Sequence, residues 1–213
     1  MKIFIDTEYY EFHPTKFRRE PGMFTGQSHP VPGANAVQLI SLGAVREDGA
    51  EFYAENADFN WNNVPEDHWL QENVRPHLWT VRPPGGQWKN VPKGLVGGLW
   101  TPERIAQEFR AFAIGGEPTV DHDGDTVVEW AYSVPEFWGY HCDYDWVVLC
   151  GLYGRMGDLP PEFPKYCLDL KQEMRAKERS MGVEVELPPG HSNEHHALAD
   201  ARWNQELYER IVW

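Results

Sequence analysis

The chain opens Met1-Lys2-Ile3-Phe4-Ile5-Asp6-Thr7-Glu8, a short apolar run of β type that ends in two carboxylates one residue apart. Side chains alternate across a strand, so Asp6 and Glu8 project to the same side if the strand runs on through Glu8. Like charges held together away from water repel, and one protonates unless a cation compensates them. Such a couple at a strand end predicts a seat for a hard, oxygen-seeking ion, Mg²⁺ or Mn²⁺. The bland alternative is a strand that runs into a solvated turn, where most acidic residues sit.

The next strand-like segment, 36–47, is apolar enough to be buried on both faces. Asp48-Gly49 is a strong turn signal and 51–55 continues as a further strand, so the first three strands form an antiparallel meander. That arrangement puts Asp6 and Glu8 on the strand nearest the middle of the sheet. A short helix is expected over 65–73, stopped by Pro76. Thr101-Pro102-Glu103 supplies an N-cap, a proline at the first helical position and an acidic first turn; Ile105, Phe109 and Phe112 follow at helical spacing, and Gly115-Gly116 ends the helix. Residues 126–132 read as strand, and 137–142 as an apolar strand leading into Asp143-Tyr144-Asp145 and a helix from Trp146 to Tyr153. A strand-to-helix junction that carries carboxylates is where α/β folds place their sites. A short strand is expected within 165–170, a charged helix over 172–180, and a last helix from an N-cap at Asn193 to about Ile211.

Composition narrows the function. At 213 residues the chain is read as one domain, 1–213, with insertions near 11–35 and 121–134. No apolar run approaches the length of a bilayer, and only three apolar residues stand between Lys2 and Asp6, so neither a membrane span nor a signal peptide is predicted and the expected location is cytoplasmic. Cys142, Cys150 and Cys167 lack the paired short spacings of a metal site and read as buried, reduced thiols. A formal charge of -14 argues against non-specific adhesion to nucleic acid or anionic membrane. It leaves room for a nucleic-acid enzyme whose bound cations supply the local positive charge. The carboxylates Asp121, Asp123 and Asp125 look superficially like a calcium loop, but the glycine and closing glutamate fall in the wrong places.

One stretch stands apart. Residues 73–102 contain no acidic residue, and Arg75, Arg82, Lys89 and Lys93 alternate with Trp79, Trp88 and Trp100. Cations interleaved with flat rings suit phosphate contact and base stacking. The same features suit a Gly/Pro-rich loop pinned by tryptophan packing, and both readings stand. The basic knot Lys16, Arg18 and Arg19 in the first insertion reads either as the rim of a site or as surface decoration.

Four features now fall at element ends: Asp6 with Glu8, Asp145 with Asp143 nearby, His195 with His196, and Asp200. His195 and Asp200 are about 140° apart on an ideal helix, so they meet only if His195 sits at an irregular helix start. The segments Phe4-Ile-Asp-Thr-Glu8, Tyr144-Asp145 and His195-His-Ala-Leu-Ala-Asp200 resemble the three exonuclease motifs of the DEDD superfamily, h subgroup, and more narrowly the compact bacterial 3′–5′ exoribonucleases. The resemblance runs in order from Met1 to Arg210. It implies an α/β, RNase H-like fold: a mixed five-stranded sheet, antiparallel meander plus parallel strands, flanked by helices. It also implies two-metal hydrolysis of nucleotides from a 3′ end, RNA more than DNA, with two Mg²⁺ or Mn²⁺ ions per site. By that match Asp6, Glu8, Asp145 and Asp200 hold the metals, Glu8 and His195 carry the catalysis, with His195 as general base, and Thr7 and Tyr9 hold the terminal nucleotide. His196 is the alternative imidazole and Asp143 the alternative carboxylate. The family's second motif usually has asparagine where His141 stands. Relatives of this kind are often homodimers. A DNA-directed exonuclease is the alternative within the class; a non-catalytic nucleic-acid binder would show a lost carboxylate, and none is lost. An unrelated hydrolase of small phosphoesters suits the acidity but not the motif order.

Overall fold

The computed structural model describes residues 1–12, 36–81, 94–115, 119–120, 126–127 and 134–212. Its main sheet is built outward from β1 (Lys2–Phe12). On one side β1 pairs antiparallel with β2 (Ala36–Arg46), which pairs antiparallel with β3 (Glu51–Asn56), and β4 (Leu95–Trp100) adds parallel to β3. A separate two-stranded pair is formed by β5 (Thr119–Val120) and β6 (Thr126–Val127). On the other side of β1 lie β7 (Glu136–Gly139) and β8 (Leu168–Asp169), both parallel. The order β4-β3-β2-β1-β7-β8 puts the Asp6/Glu8 strand in the interior of the sheet, as the meander predicts.

Among the described residues five α-helices accompany it: α1 (Trp69–Asn73), α2 (Pro102–Ile114), α3 (Asp143–Tyr153), α4 (Leu170–Met181) and α5 (Ala197–Val212). None of the described helices is long and apolar enough to cross a membrane. The period-two alternation of β1 sorts its residues between two layers. Ile3 and Ile5 join Leu42, Phe52, Ile105, Phe109, Phe112 and Leu149 in the core shared with α2 and α3. Phe4, on the opposite face, meets Tyr208 of α5 at 5.3 Å, and Asp6 and Glu8 continue that face. The same α5 face packs Ala197, Leu198 and Ala201 on Val45 and Tyr53. With both faces covered, β2 is buried from Leu39 to Val45 and reads as a continuous apolar run rather than an alternation.

Two contacts fix α5 against the sheet. Gly43, opposite Asp6 in the ladder, lies under the first turn of α5, where a Cβ would overlap the backbone of Ala197 and Leu198. One turn past Asp200, the buried Asn204 donates its side-chain amide to the Ile5 carbonyl at 3.0 Å. The helix that carries Asp200 is therefore pressed against the strand that carries Asp6.

The α/β reading holds, with corrections at several boundaries. The main sheet has six strands rather than five: β4 lies inside the stretch read as loop, since Leu95-Val-Gly-Gly-Leu-Trp100 has no alternation and owes its conformation to pairing with the distant β3. Strand β1 does not end at Glu8 but runs to Phe12, with a register shift between Glu8 and Tyr9. Strand β7 stops at Gly139, and α3 begins at Asp143 rather than Trp146, so both candidate aspartates lie in its first turn. Helix α1 is shorter than expected, capped by the His68 ring, which accepts the Leu70 N–H at 3.2 Å. Helix α5 starts at Ala197, not after an Asn193 cap. The Thr101 cap, the Gly115 stop at φ 79° and the turn at Gly49 fall where the residues place them. The basic knot at 16–19, the segment 82–93 and the aspartates 121, 123 and 125 lie outside the described residues.

Candidate active site

A cleft of about 640 Å³ opens over the middle of β1, at Asp6 to Tyr9, walled by the β7–α3 junction on one side and the 187–195 segment and α5 on the other. Its acidic lining is Asp6, Glu8, Asp145, Glu194 and Asp200, joined by His141, His191 and His195; no lysine or arginine is among the described lining residues. A second hollow of about 550 Å³ between β2 and α3 is lined mainly by apolar side chains and holds Asp58 as its acidic member. Chemistry, rather than size, separates the two.

The carboxylates of Asp6, Glu8 and Asp200 each bring an oxygen within 4.8 Å of the others. Burial pushes the Asp6 and Glu8 carboxyls well above their ordinary values, and their neighbours Asp145 and Asp200 push in the same direction. Asp200 is raised by burial against the opposing pull of His191 and His195. Three hard oxygen donors converging without a cationic side chain fit a divalent cation of the Mg²⁺ or Mn²⁺ type.

Asp145 lies beside this trio and is held differently. Its Oδ1 accepts both the Thr7 N–H, at 2.9 Å, and the Thr7 hydroxyl, at 2.6 Å. Burial raises its carboxyl to about 6, and the two bonds from Thr7, which favour the ionised form, restrain the rise. Thr7 is buried and its hydroxyl is committed to Asp145. Asp143, one position from Tyr144, is exposed and not part of the cleft lining. Tyr9 stacks on Tyr144 with ring centroids 5.6 Å apart at 7°, and burial raises its phenol to about 12.

The two histidines of the third motif part company. His195 lies before α5 in the left-handed region, φ 66°, and lines the cleft with its ring edge-to-face on Trp69 at 4.6 Å. His196 is buried beneath the sheet, stacked on Tyr53 at 4.4 Å. The irregular helix start needed to bring His195 and Asp200 together is present, made by the turn over 192–195 rather than by a capped helix.

A family model described as the Rv2179c-like 3′–5′ exoribonuclease domain matches residues 32–212. The chain belongs to the Rv2179c-like family. Two of its relatives, the 3′–5′ exoribonuclease Rv2179c of Mycobacterium tuberculosis strain H37Rv and the 3′–5′ exoribonuclease MT2234.1 of strain CDC 1551, are each 31% identical over 174 residues, covering 81% of this chain and 82% of theirs. The Rv2179c-like match includes Asp145, His195 and Asp200, while Asp6 and Glu8 precede it and join the site on geometry.

Several members of the cleft carry no sequence signal. His191 reaches Asp200 Oδ1 with Nε2 at 3.0 Å, yet it sits in a Pro/Gly-rich loop with no periodicity to mark it. Tyr140 and Trp203, edge-on to each other at 5.2 Å, also line the cleft, and Trp203 donates its indole N–H to the Pro188 carbonyl at 3.3 Å. His141, which the resemblance sets against an asparagine, adopts φ 57°. Asparagine and histidine are both enriched among residues that tolerate this region, so the turn accepts the exchange.

Proposed function

We propose that this cleft hydrolyses RNA from its 3′ end, releasing nucleoside monophosphates, within one DEDDh-type exonuclease domain. The observation that carries the reading is the convergence of Asp6, Glu8 and Asp200 within 4.8 Å in a cleft without a lining lysine or arginine. Membership of a family described by 3′–5′ exoribonuclease activity supports the substrate and polarity.

Asp6, Glu8 and Asp200, with Asp145 beside them, would hold the divalent cations. A pair of such ions supplies an acidified water and charge stabilisation on both the attacking and leaving oxygens of an in-line displacement. Thr7 keeps Asp145 ionised by donating two hydrogen bonds to one oxygen. His195, on the rim beside Asp200, accepts the proton of the attacking water at an imidazole nitrogen. Tyr9 keeps its phenolic proton at neutral pH, so it meets the terminal nucleotide as a ring face and a neutral donor.

Incubation with 3′- and 5′-labelled RNA and DNA oligonucleotides, with Mg²⁺, Mn²⁺ or chelator, tests this directly. Stepwise release of mononucleotides from RNA 3′ ends, abolished by chelator, is the expected result. Equal activity in chelator, or release from 5′ ends, overturns it; a preference for DNA replaces the substrate while leaving the centre in place.

A further inference from the structure

We propose that Trp69 is a positioning residue for His195, holding the imidazole in the cleft from outside the three motifs. This rests on the reading of His195 as general base.

The need for such a support follows from the backbone. His195 lies outside α5 at φ 66°, and with His141 it makes up the non-glycine residues at positive φ among those described. Conformations of that kind persist where surroundings over-determine them. The local hydrogen bonds, Glu194 N–H to the His191 carbonyl at 3.3 Å and His196 N–H to the Asn193 carbonyl at 3.2 Å, fix the main chain of the turn. Among the described residues no hydrogen bond to either imidazole nitrogen fixes the ring. What meets the ring is the Trp69 indole, centroids 4.6 Å apart at 81°, the edge-to-face geometry that aromatic pairs prefer.

Burial does not explain Trp69. It is 51% exposed, while Leu70 of the same short helix and Val74, which follows its last residue, supply the packing against Ile40, Val64 and Tyr10. Helix α1 is in turn tied to the strand of the acidic couple. His68 caps it through the Leu70 N–H and sets its ring edge-on to Tyr10 at 5.3 Å and 88°, and Tyr10 is two residues beyond Glu8 on β1. The indole is thus mounted on the strand that carries Asp6 and Glu8, and it links the position of those carboxylates to that of the imidazole.

Turnover and KM on a short labelled RNA at saturating Mg²⁺ test the proposal in four variants: Trp69→Ala, Trp69→Phe, His195→Ala and the Trp69→Ala/His195→Ala double substitution. Trp69→Ala should lower kcat roughly three- to tenfold, the population factor for losing an edge-to-face ring pair, with KM within about twofold. Trp69→Phe should restore most of the rate. In the His195→Ala background the Trp69 substitution should have no further effect, since the group it positions is gone. An equal loss in that background, or a rise in KM at unchanged kcat, overturns the proposal; the latter makes Trp69 a substrate contact. Full activity of His195→Ala removes the general-base reading, and this inference with it. A readout independent of turnover is the His195 ring-proton NMR signal, identified by its absence from His195→Ala. It should move in folded Trp69→Ala as the indole ring current is lost, and a signal that stays in place overturns the contact.

Discussion

Thr7 holds Asp145 by two bonds to a single oxygen, its backbone N–H at 2.9 Å and its hydroxyl at 2.6 Å, across 138 positions of sequence. The residue between Asp6 and Glu8 points to the opposite face of β1, so one tripeptide supplies two carboxylates and steadies a third. Thr7→Val keeps the shape and the backbone bond and removes the hydroxyl. Stability should fall by about 1.5–3 kcal/mol, the worth of a hydrogen bond to a charged acceptor. Turnover or metal affinity should fall about 10–100-fold, as for other groups that orient a ligand. Urea unfolding and Mn²⁺ titration measure the two effects, and a wild-type Mn²⁺ affinity and turnover in the variant would remove Thr7 from the site's support.

The acidic cluster gives the metal-free fold a pH dependence of its own. The Asp6, Glu8 and Asp145 carboxyls are all raised by burial, Asp145 to about 6. A group whose folded pKa is raised binds its proton more tightly when folded. Its stabilising contribution is full below the unfolded value, 3.8 for Asp145, and is lost as pH rises through about 6. Surface carboxyls such as Asp48, which its bond to Arg46 holds low, act in the opposite sense. The difference in Tm between wild type and Asp6→Asn isolates the site: wild type should lose ground between pH 4 and 7 in chelator.

Asp6→Asn should abolish hydrolysis while raising the Tm of the metal-free protein at pH 7. A like-charge contact at about 5 Å costs at most about 3 kcal/mol at an effective dielectric of 20, so a gain of about 5 °C is expected. Added Mn²⁺ should raise the Tm of wild type at pH 7 and do so weakly at pH 4.5, where protons compete for the same oxygens. Calorimetry with and without chelator reads both, and a wild-type rate in Asp6→Asn would refute the centre.

Gly43→Ala tests the seat of α5. Its Cβ would meet the backbone of Ala197 and Leu198, with no flexible side chain to yield. The helix must shift, carrying Asp200 away from Asp6, at a cost of about 1–3 kcal/mol or more as for other overpacked cores. Loss of stability together with weaker Mn²⁺ binding is expected; a variant as stable and as active as wild type would mean that α5 docks differently.

His195→Ala should slow turnover by roughly a hundredfold or more, the range of a lost general base. His196→Ala should act chiefly on stability, because its ring stacks on Tyr53 beneath the sheet. Rates and melting curves of the two variants separate these roles, and the reverse order would place the base on the wrong imidazole.

Much of this was legible in one dimension because its causes are local. Alternation along β1 puts Asp6 and Glu8 on one face, the Asp48-Gly49 turn makes the meander, and Thr101-Pro102 starts α2, each through a preference that a few neighbouring residues carry. By itself the sequence determined the α/β class, the central place of β1 and the residues worth watching. Only the tertiary structure decided that β4 forms at all, that Asp145 rests on Thr7, that His191 stands against Asp200 and that Trp69 stands against His195. Each of those depends on a contact between segments far apart in the chain. Neither residue type nor spacing encodes such a contact, which exists only once the helices have closed over both faces of the sheet.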